Sequence, residues 1–113
     1  MLTKLTTLLL LLVSPFASSD AATIVGAGTG TCGSWLQDRQ ENYGAKLHWL
    51  QGFLSAYNFY VYSGRNPEGI FAGIDHNAIA AWMDNYCREN PLSSPSDGAL
   101  RLIKELEQRA DRE

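Results

Sequence analysis

The apolar positions of this chain recur at helical spacing through most of its length. The longest such segment runs from Ala45 to Tyr62, where apolar residues follow one another at intervals of three and four, the period of an amphipathic helix. Aromatic residues widen the apolar stripe beyond one face, so we expect this helix to lie at the centre of the domain. The stripe comprises Leu47, Leu50, Leu54, Tyr57 and Val61, and Trp49, Phe53 and Tyr60 widen it.

Two shorter helices are predicted on either side of the central one. The first runs from Ser34 to Glu41, with Thr31 or Ser34 as its N-cap, and Asn42-Tyr43-Gly44 ends it. The other starts near Asp75, whose carboxylate can cap free backbone amides, and stops at Asn90-Pro91. Its apolar face comprises Ile79, Trp82, Met83 and Tyr86, and Cys87 lies on the same face.

A last helix has the clearest start signal of the chain. Ser94 is placed to cap it, Pro95 occupies the first helical position, and Asp97 lies in the first turn. The connection from Ser63 to Gly73 is rich in Gly and Pro and separates helices rather than forming one. The sequence therefore predicts an all-α fold, a small bundle of three to four helices. The apolar edge of the last helix comprises Ala99, Leu102, Ile103, Leu106 and Ala110.

The N-terminal segment has the features of a secretory signal peptide. Lys4 supplies a positive charge, Leu8 to Val13 form the core of an apolar run, and small residues follow, so we expect cleavage between Asp20 and Thr23. An uncleaved anchor is the alternative, but a run of about 10 residues is shorter than the roughly 20 that a spanning helix needs. The predicted organisation is a signal peptide at 1–21, a Gly-rich leader at 22–33 and a single helical domain at 34–113, in a periplasmic or secreted protein.

The net charge of the chain argues against two classes of partner. Without residues 1–21 the chain keeps eight Lys and Arg against eleven Asp and Glu, so its net charge stays at −3. No basic block is present, which argues against a nucleic-acid partner and against a Lys-rich membrane-surface helix. We expect no stable membrane insertion after cleavage.

Cys32 and Cys87 are the two cysteines of the chain. In an oxidising compartment such a pair forms a disulfide more often than a redox or metal site. The bond would close a long loop, worth about 4 kcal/mol in the chain-entropy model. For a domain this small, which buries a limited share of its surface, that contribution is large.

Several chemical motifs are weaker than they first look. Gly28 to Gly33 matches the G-x-G-x-x-G pattern, but the strands that a dinucleotide site requires are missing around it. His48 and the pair Asp75-His76 lack the spacing of a metal site. Acid–base catalysis would have to use Asp75-His76 and Asp84. A Cys32 nucleophile activated by His48 would be trapped in a disulfide with the other cysteine. We therefore expect no catalytic site, no metal and no cofactor, and a protein that is not an enzyme.

Aromatic side chains are unusually dense near the end of the central helix. They exceed what one helix face can bury, and Tyr and Trp are favoured at protein interfaces. A small helical core also needs large side chains, so core packing is the alternative. The predicted partner surface comprises Phe53, Tyr57, Phe59, Tyr60 and Tyr62.

Four short motifs together resemble the HdeA-type acid-stress chaperones of the bacterial periplasm. They are Thr31-Cys32 with Trp35-Leu36, then Trp49 to Leu54, then Asp84 to Cys87, and finally Pro91 before an amphipathic helix. The resemblance covers Thr31 to Leu106. The chain is similar in outline to a second family, the periplasmic immunity proteins that neutralise type VI secretion effectors attacking peptidoglycan.

Each resemblance implies a different binding role. The chaperone family implies an oligomer, such as a homodimer, that loosens in acid and exposes apolar surface of the helix around Phe53 to Val61 to unfolded clients. The immunity family implies that this helix, or the loop from Arg65 to Gly73, fills an effector's cleft with Glu68 or Asp75 as a charged anchor. A third alternative is a periplasmic interaction or structural protein of another kind.

Overall fold

Four α-helices make up most of the computed structural model, which describes residues 23–42 and 44–112. They are α1 (Cys32–Glu41), α2 (Ala45–Tyr60), α3 (His76–Glu89) and α4 (Pro95–Arg112), and two 3₁₀ turns lie at Ala27–Thr29 and Gly69–Phe71. The predicted all-α fold with one disulfide is confirmed. The predicted signal peptide lies outside the described residues. Within the described ranges, no helix combines the length and hydropathy needed to cross a membrane.

Three helices begin at the caps that the sequence indicates. The Asp75 carboxylate accepts a hydrogen bond from the Ala78 amide at 2.8 Å, and the Ser94 hydroxyl accepts one from the Asp97 amide at 3.2 Å. Thr31 Oγ1 accepts from the Ser34 amide at 3.1 Å. Because Thr31 is the cap, α1 begins at Cys32, two residues before the predicted start, and Cys32 lies inside the helix.

The central helix is shorter than predicted. Its last residue is Tyr60, because the amides of Val61 and Tyr62 both donate to the Tyr57 carbonyl, at 2.9 and 3.0 Å, and the chain turns away there. Val61, predicted to belong to the apolar stripe, is 58% exposed. The prediction was wrong at that residue because the helical register ends just before it.

All four helices contribute to one apolar core. Trp35 of α1 is fully buried, and α2 contributes three leucines to the same cluster. All five residues predicted for the apolar edge of α4 are buried. Burial of apolar surface supplies most of the stability of a small domain. The cluster comprises Cys32, Trp35, Leu47, Leu50, Leu54, Ile70, Ile79, Ala80, Met83, Cys87, Ala99, Leu102, Ile103 and Leu106.

The segment before α1 makes a close contact with α2 at Gly28. Gly28 is buried, and a Cβ there would collide with the indole ring of Trp49. The Trp49 Nε1–H donates to the Val25 carbonyl at 3.0 Å. The glycine at 28 therefore permits a close contact between the leader and α2, which is a packing role.

Cys32 and Cys87 form the predicted disulfide at the start of α1 and near the end of α3. Their Cα atoms are 4.7 Å apart and both residues are fully buried. Next to the bond, the Cys32 amide donates to the Ser93 carbonyl at 2.7 Å and the Gly33 amide donates to the Pro91 carbonyl at 3.2 Å. The beginning of α1 is thus joined to α3 covalently and to the α3–α4 loop by backbone hydrogen bonds.

Candidate functional site

The predicted partner surface on α2 is divided by the structure into two groups. Phe59 and Tyr60 are each 81% exposed, and their rings meet edge to face with centroids 4.9 Å apart. Val61 follows them on the exposed side. We call Phe59, Tyr60 and Val61 the aromatic tip. Large apolar side chains this exposed at one point are typical of contact surfaces.

The other three predicted residues are half-buried and hold the domain together. Phe53 stacks on Trp49 with ring centroids 5.2 Å apart. The Tyr57 hydroxyl donates to Glu107 of α4. The Tyr62 hydroxyl oxygen accepts from the Asn66 amide at 3.3 Å, which fixes the loop after α2. Core packing, the alternative interpretation of the aromatic residues, therefore applies to Phe53, Tyr57 and Tyr62.

Small residues extend the exposed surface from the aromatic tip along α2. Gly52, Ser55 and Ala56 lie on the helix face opposite the buried leucines and are exposed. No atom lies within 4 Å of a Cβ built on Gly52, so nothing inside the domain requires glycine there. Glycine inside a helix costs about 0.5 to 1 kcal/mol relative to alanine. We call Gly52, Ser55, Ala56, Phe59 and Tyr60 the open face of α2.

The sequence prediction includes Phe59 and Tyr60 but not the small residues of this open face, because it follows the apolar residues alone. The signal was present in the spacing of Gly52 and Ala56, four residues apart on one side of a helix whose other side is leucine-rich. Small residues at this spacing let a second helix approach closely, a pattern best known from membrane helices.

A second feature of the molecule is that carboxylates join its helices. Asp84 of α3 accepts from the Trp35 indole at 2.9 Å and from Arg39 Nε at 3.0 Å, both on α1. Arg39 also donates through Nη2 to the other Asp84 oxygen at 3.2 Å, which makes the pair bidentate. Asp84 is one of the residues that acid–base chemistry would have to use, and in the structure its carboxylate accepts from two donors of α1.

Asp38 makes the corresponding contact between α1 and α2. Its Oδ2 accepts from the Lys46 amide at 3.0 Å, and its Oδ1 accepts from the Asn42 side chain at 2.9 Å. The Lys46 amide is the main reason that the pKa of Asp38 lies below its usual value, and the Asn42 amide and the charges of Lys46 and Arg39 act in the same direction. The ionised form of this carboxyl group is the one that fits the structure.

Two glutamates join α4 to the rest of the bundle. Glu105 accepts from the Trp82 indole of α3 at 2.6 Å, and Glu107 accepts from the Tyr57 hydroxyl of α2. The bond to Glu107, helped by burial and by the charge of that carboxylate, raises the pKa of Tyr57 to about 12. Four pairs of helices are therefore each joined by a carboxylate that accepts from the facing helix.

The remaining candidate residues lie apart from one another. Asp75 caps α3 and His76 is exposed beside it, whereas Asp84 lies about two and a half helical turns further along. His48 is exposed on α2. In residues 23–42 and 44–112, no group of three or more His, Cys, Asp or Glu side chains is arranged to hold a metal ion.

Comparisons with protein-family models, with curated proteins and with solved structures find no match to this chain.

Proposed function

We propose that this chain is a small exported helical binding protein that acts as an acid-stress chaperone of the HdeA type, opening in acid to bind unfolded clients. The observation that supports it is the set of carboxylates joining four pairs of helices. Each of these contacts involves an acceptor that loses its charge when it is protonated.

Acid acts on these contacts in two ways. Asp and Glu side chains have ordinary pKa values near 4, so a pH of about 2.5 neutralises them and weakens charge-assisted hydrogen bonds. Protonating all eleven carboxyl groups after residue 21 and both histidines takes the net charge from −3 to about +10. Self-repulsion then opposes the compact state. Because each helix has at least one such contact, the whole bundle loosens in acid.

The open face of α2 supplies the binding surface in this proposal. Its aromatic tip offers apolar contact to a client, and Gly52 with Ala56 lets a second helix lie close. At neutral pH a homodimer formed through this face would cover it. Opening in acid would add the leucines of the opposite side of α2 to the surface presented to clients.

The test is protection of an acid-unfolded client from aggregation, followed by light scattering at about pH 2.5, where carboxyl groups are protonated. The wild-type chain should suppress scattering. The double variant Phe59→Ser/Tyr60→Ser should suppress it less. Leu92→Ser is the matched control, since Leu92 is 94% exposed but lies outside α2. Absence of protection by the oxidised wild-type chain would contradict the proposal.

A second candidate function is inhibition of a secreted effector by the folded protein, as in the immunity family. It is favoured by one observation: the aromatic tip is exposed without any acid-induced opening. It lies next to the loop from Ser63 to Pro67, which borders an open groove of about 610 Å³ together with Asp111 of α4. Inhibition of a peptidoglycan-cleaving effector at neutral pH, lost in Phe59→Ser/Tyr60→Ser, would support this function over the chaperone.

A further inference from the structure

Both histidines of the chain line a single groove between α2 and α3. The groove has a volume of about 470 Å³, and His48 comes from α2 while His76 comes from the first turn of α3. Its other polar side chains are Arg39 of α1, Gln51 of α2 and Asn77 of α3. Three helices thus bring two imidazoles, one guanidinium and two primary amides to one concave surface. No Asp or Glu is among the residues that line it.

Arg39 is held in place by its ion pair and keeps donors for the groove. Asp84 binds Nε and Nη2 on one edge of the guanidinium. Nη1 lies on the side of Gly44, a residue of the groove, where it would be 2.8 Å from an added Cβ. Its two hydrogens make no hydrogen bond within the part of the chain that the structure describes. A guanidinium held in place by a carboxylate is a common element of oxyanion sites.

The charge of the groove depends on the two histidines. The ion pair with Asp84 balances the Arg39 charge, so additional positive charge in the groove has to come from the two imidazoles. Protonation of the two imidazoles adds two positive charges and makes every ring nitrogen a donor.

Three charged residues that adjoin lining residues in the sequence make hydrogen bonds to other groups. Asp75 precedes His76, but its carboxylate accepts from the Ala78 amide. On α1, Asp38 accepts from the Lys46 amide, and the Lys46 ammonium donates to the Ser34 hydroxyl at 2.6 Å. These groups do not line the groove. Among the residues that line the groove, the two imidazoles and Arg39 are the groups able to carry a positive charge.

We infer that this groove is a proton-gated binding site for a small free oxyanion with two or more negative charges, of the phosphate or sulfate type. Five donor side chains from three helices match an anion with several oxygens, and the two histidines make binding depend on pH. The site shares no residue with the open face of α2. The inference does not depend on the proposed chaperone function.

The experiment is a titration of the folded, oxidised chain with sulfate, followed by calorimetry and by backbone amide shifts. Sulfate keeps its dianionic charge over the range used, so any pH dependence belongs to the protein. We expect binding at least about tenfold tighter at about pH 5.5 than at about pH 7.5, because imidazole side chains in general gain a proton in mildly acidic solution. The amide shifts should centre on His48 and His76.

Variants can distinguish sulfate binding at this groove from nonspecific electrostatic attraction of sulfate to the protein. His48→Gln and His76→Gln each keep a polar side chain but cannot gain a proton, so each should weaken binding at about pH 5.5 and flatten the pH dependence. Both residues are exposed, so we expect these variants to fold. Lys104→Gln is the matched control, because it removes an exposed charge from α4, outside the groove. It should leave sulfate binding unchanged.

Three outcomes would overturn the inference. They are absence of saturable sulfate binding at about pH 5.5, equal affinity at both pH values, and equal weakening by Lys104→Gln and the histidine variants. A further arm uses vesicles of phosphatidylglycerol, compared with neutral vesicles. Histidine-dependent binding to the anionic vesicles without binding of free sulfate would assign the groove to a lipid headgroup and would also overturn a free-anion site.

Discussion

Asp84 satisfies two donors of α1 that have different chemical requirements. The fully buried Trp35 needs an acceptor for its indole N–H, and Arg39 needs a negative charge. We predict that Asp84→Ala lowers the free energy of unfolding by about 2 to 3 kcal/mol, since it leaves a buried donor without an acceptor. Urea denaturation should show a lower midpoint with an unchanged slope.

Asp84→Asn separates the two contributions. Its amide oxygen can still accept from Trp35, while the charge opposite Arg39 is lost, so we expect a loss of about 1 kcal/mol. A loss in Asp84→Asn as large as that in Asp84→Ala would show that the ion pair, and not the buried indole, dominates the contribution of this residue.

Tyr57 gives the structure a defined response to alkali. Its pKa is raised from 10.0 to about 12 by Glu107, so the neutral hydroxyl is favoured in the folded state. A raised pKa adds stability that is complete below pH 10 and is lost as the pH rises through about 12. Wild-type stability should therefore fall within this window, and Tyr57→Phe should lack that part of the decrease.

Tyrosinate absorbance gives a second readout of the same contact. In Glu107→Gln, one tyrosine should titrate closer to pH 10 than in the wild-type chain, because the charge that opposes its ionisation is gone. An unchanged titration in this variant would show that the negative charge of Glu107 is not what holds the proton on Tyr57.

At the scale of the helix, two glycines provide a matched comparison. Gly52 lies inside α2 with no atom within 4 Å of an added Cβ, whereas a Cβ on Gly98 of α4 would lie 2.7 Å from Met83 Sδ and from the Tyr86 ring. We predict that Gly52→Ala stabilises the isolated domain by about 0.5 to 1 kcal/mol. Gly98→Ala should destabilise it, because the α3–α4 contact must open.

Association separates the two roles that Gly52 can have. If a second helix lies against the open face of α2, Gly52→Ala should raise the stability of the monomer and weaken self-association in sedimentation. Equal association by the wild-type chain and Gly52→Ala, at concentrations where the wild type is dimeric, would place the dimer contact elsewhere.

The helices themselves were largely predictable from sequence, and the physical reasons are local. Asp75 and Ser94 act as caps through amides three residues away, and Pro95 fixes the start of α4. The start of α1 at Cys32 and the end of α2 at Tyr60 were misplaced. At both boundaries, which residue belongs to the helix depends on individual hydrogen bonds. The spacing of apolar residues carries no information about those bonds.

The contacts between helices were not predictable in the same way. The partners Trp35 and Asp84 are 49 residues apart, and Tyr57 and Glu107 are 50 apart. Nothing in either local pattern indicates its partner. For the same reason the aromatic residues from Phe53 to Tyr62 are predicted as one surface, whereas Phe53 and Tyr62 have neighbours of their own and Phe59 and Tyr60 are largely exposed.

At the scale of the whole molecule, the disulfide is the largest single constraint. It joins residues 55 positions apart, for which the chain-entropy model gives about 4 kcal/mol. We predict that the double variant Cys32→Ala/Cys87→Ala loses about that much stability and unfolds at a lower denaturant concentration. The sulfur atoms are fully buried, so reduction of the wild-type chain should require prior opening.

The position of the disulfide also divides the molecule into a ring and a tail. The bond closes a covalent ring that contains α1, α2 and most of α3, while all of α4 lies beyond Cys87. Two glutamates and the apolar edge of α4 are what hold the tail on the ring. In acid, amide hydrogens of α4 should therefore exchange before those of the other helices. A protein in which α4 has detached would still have α4 joined to the ring through the chain, so α4 can dock again within the same molecule.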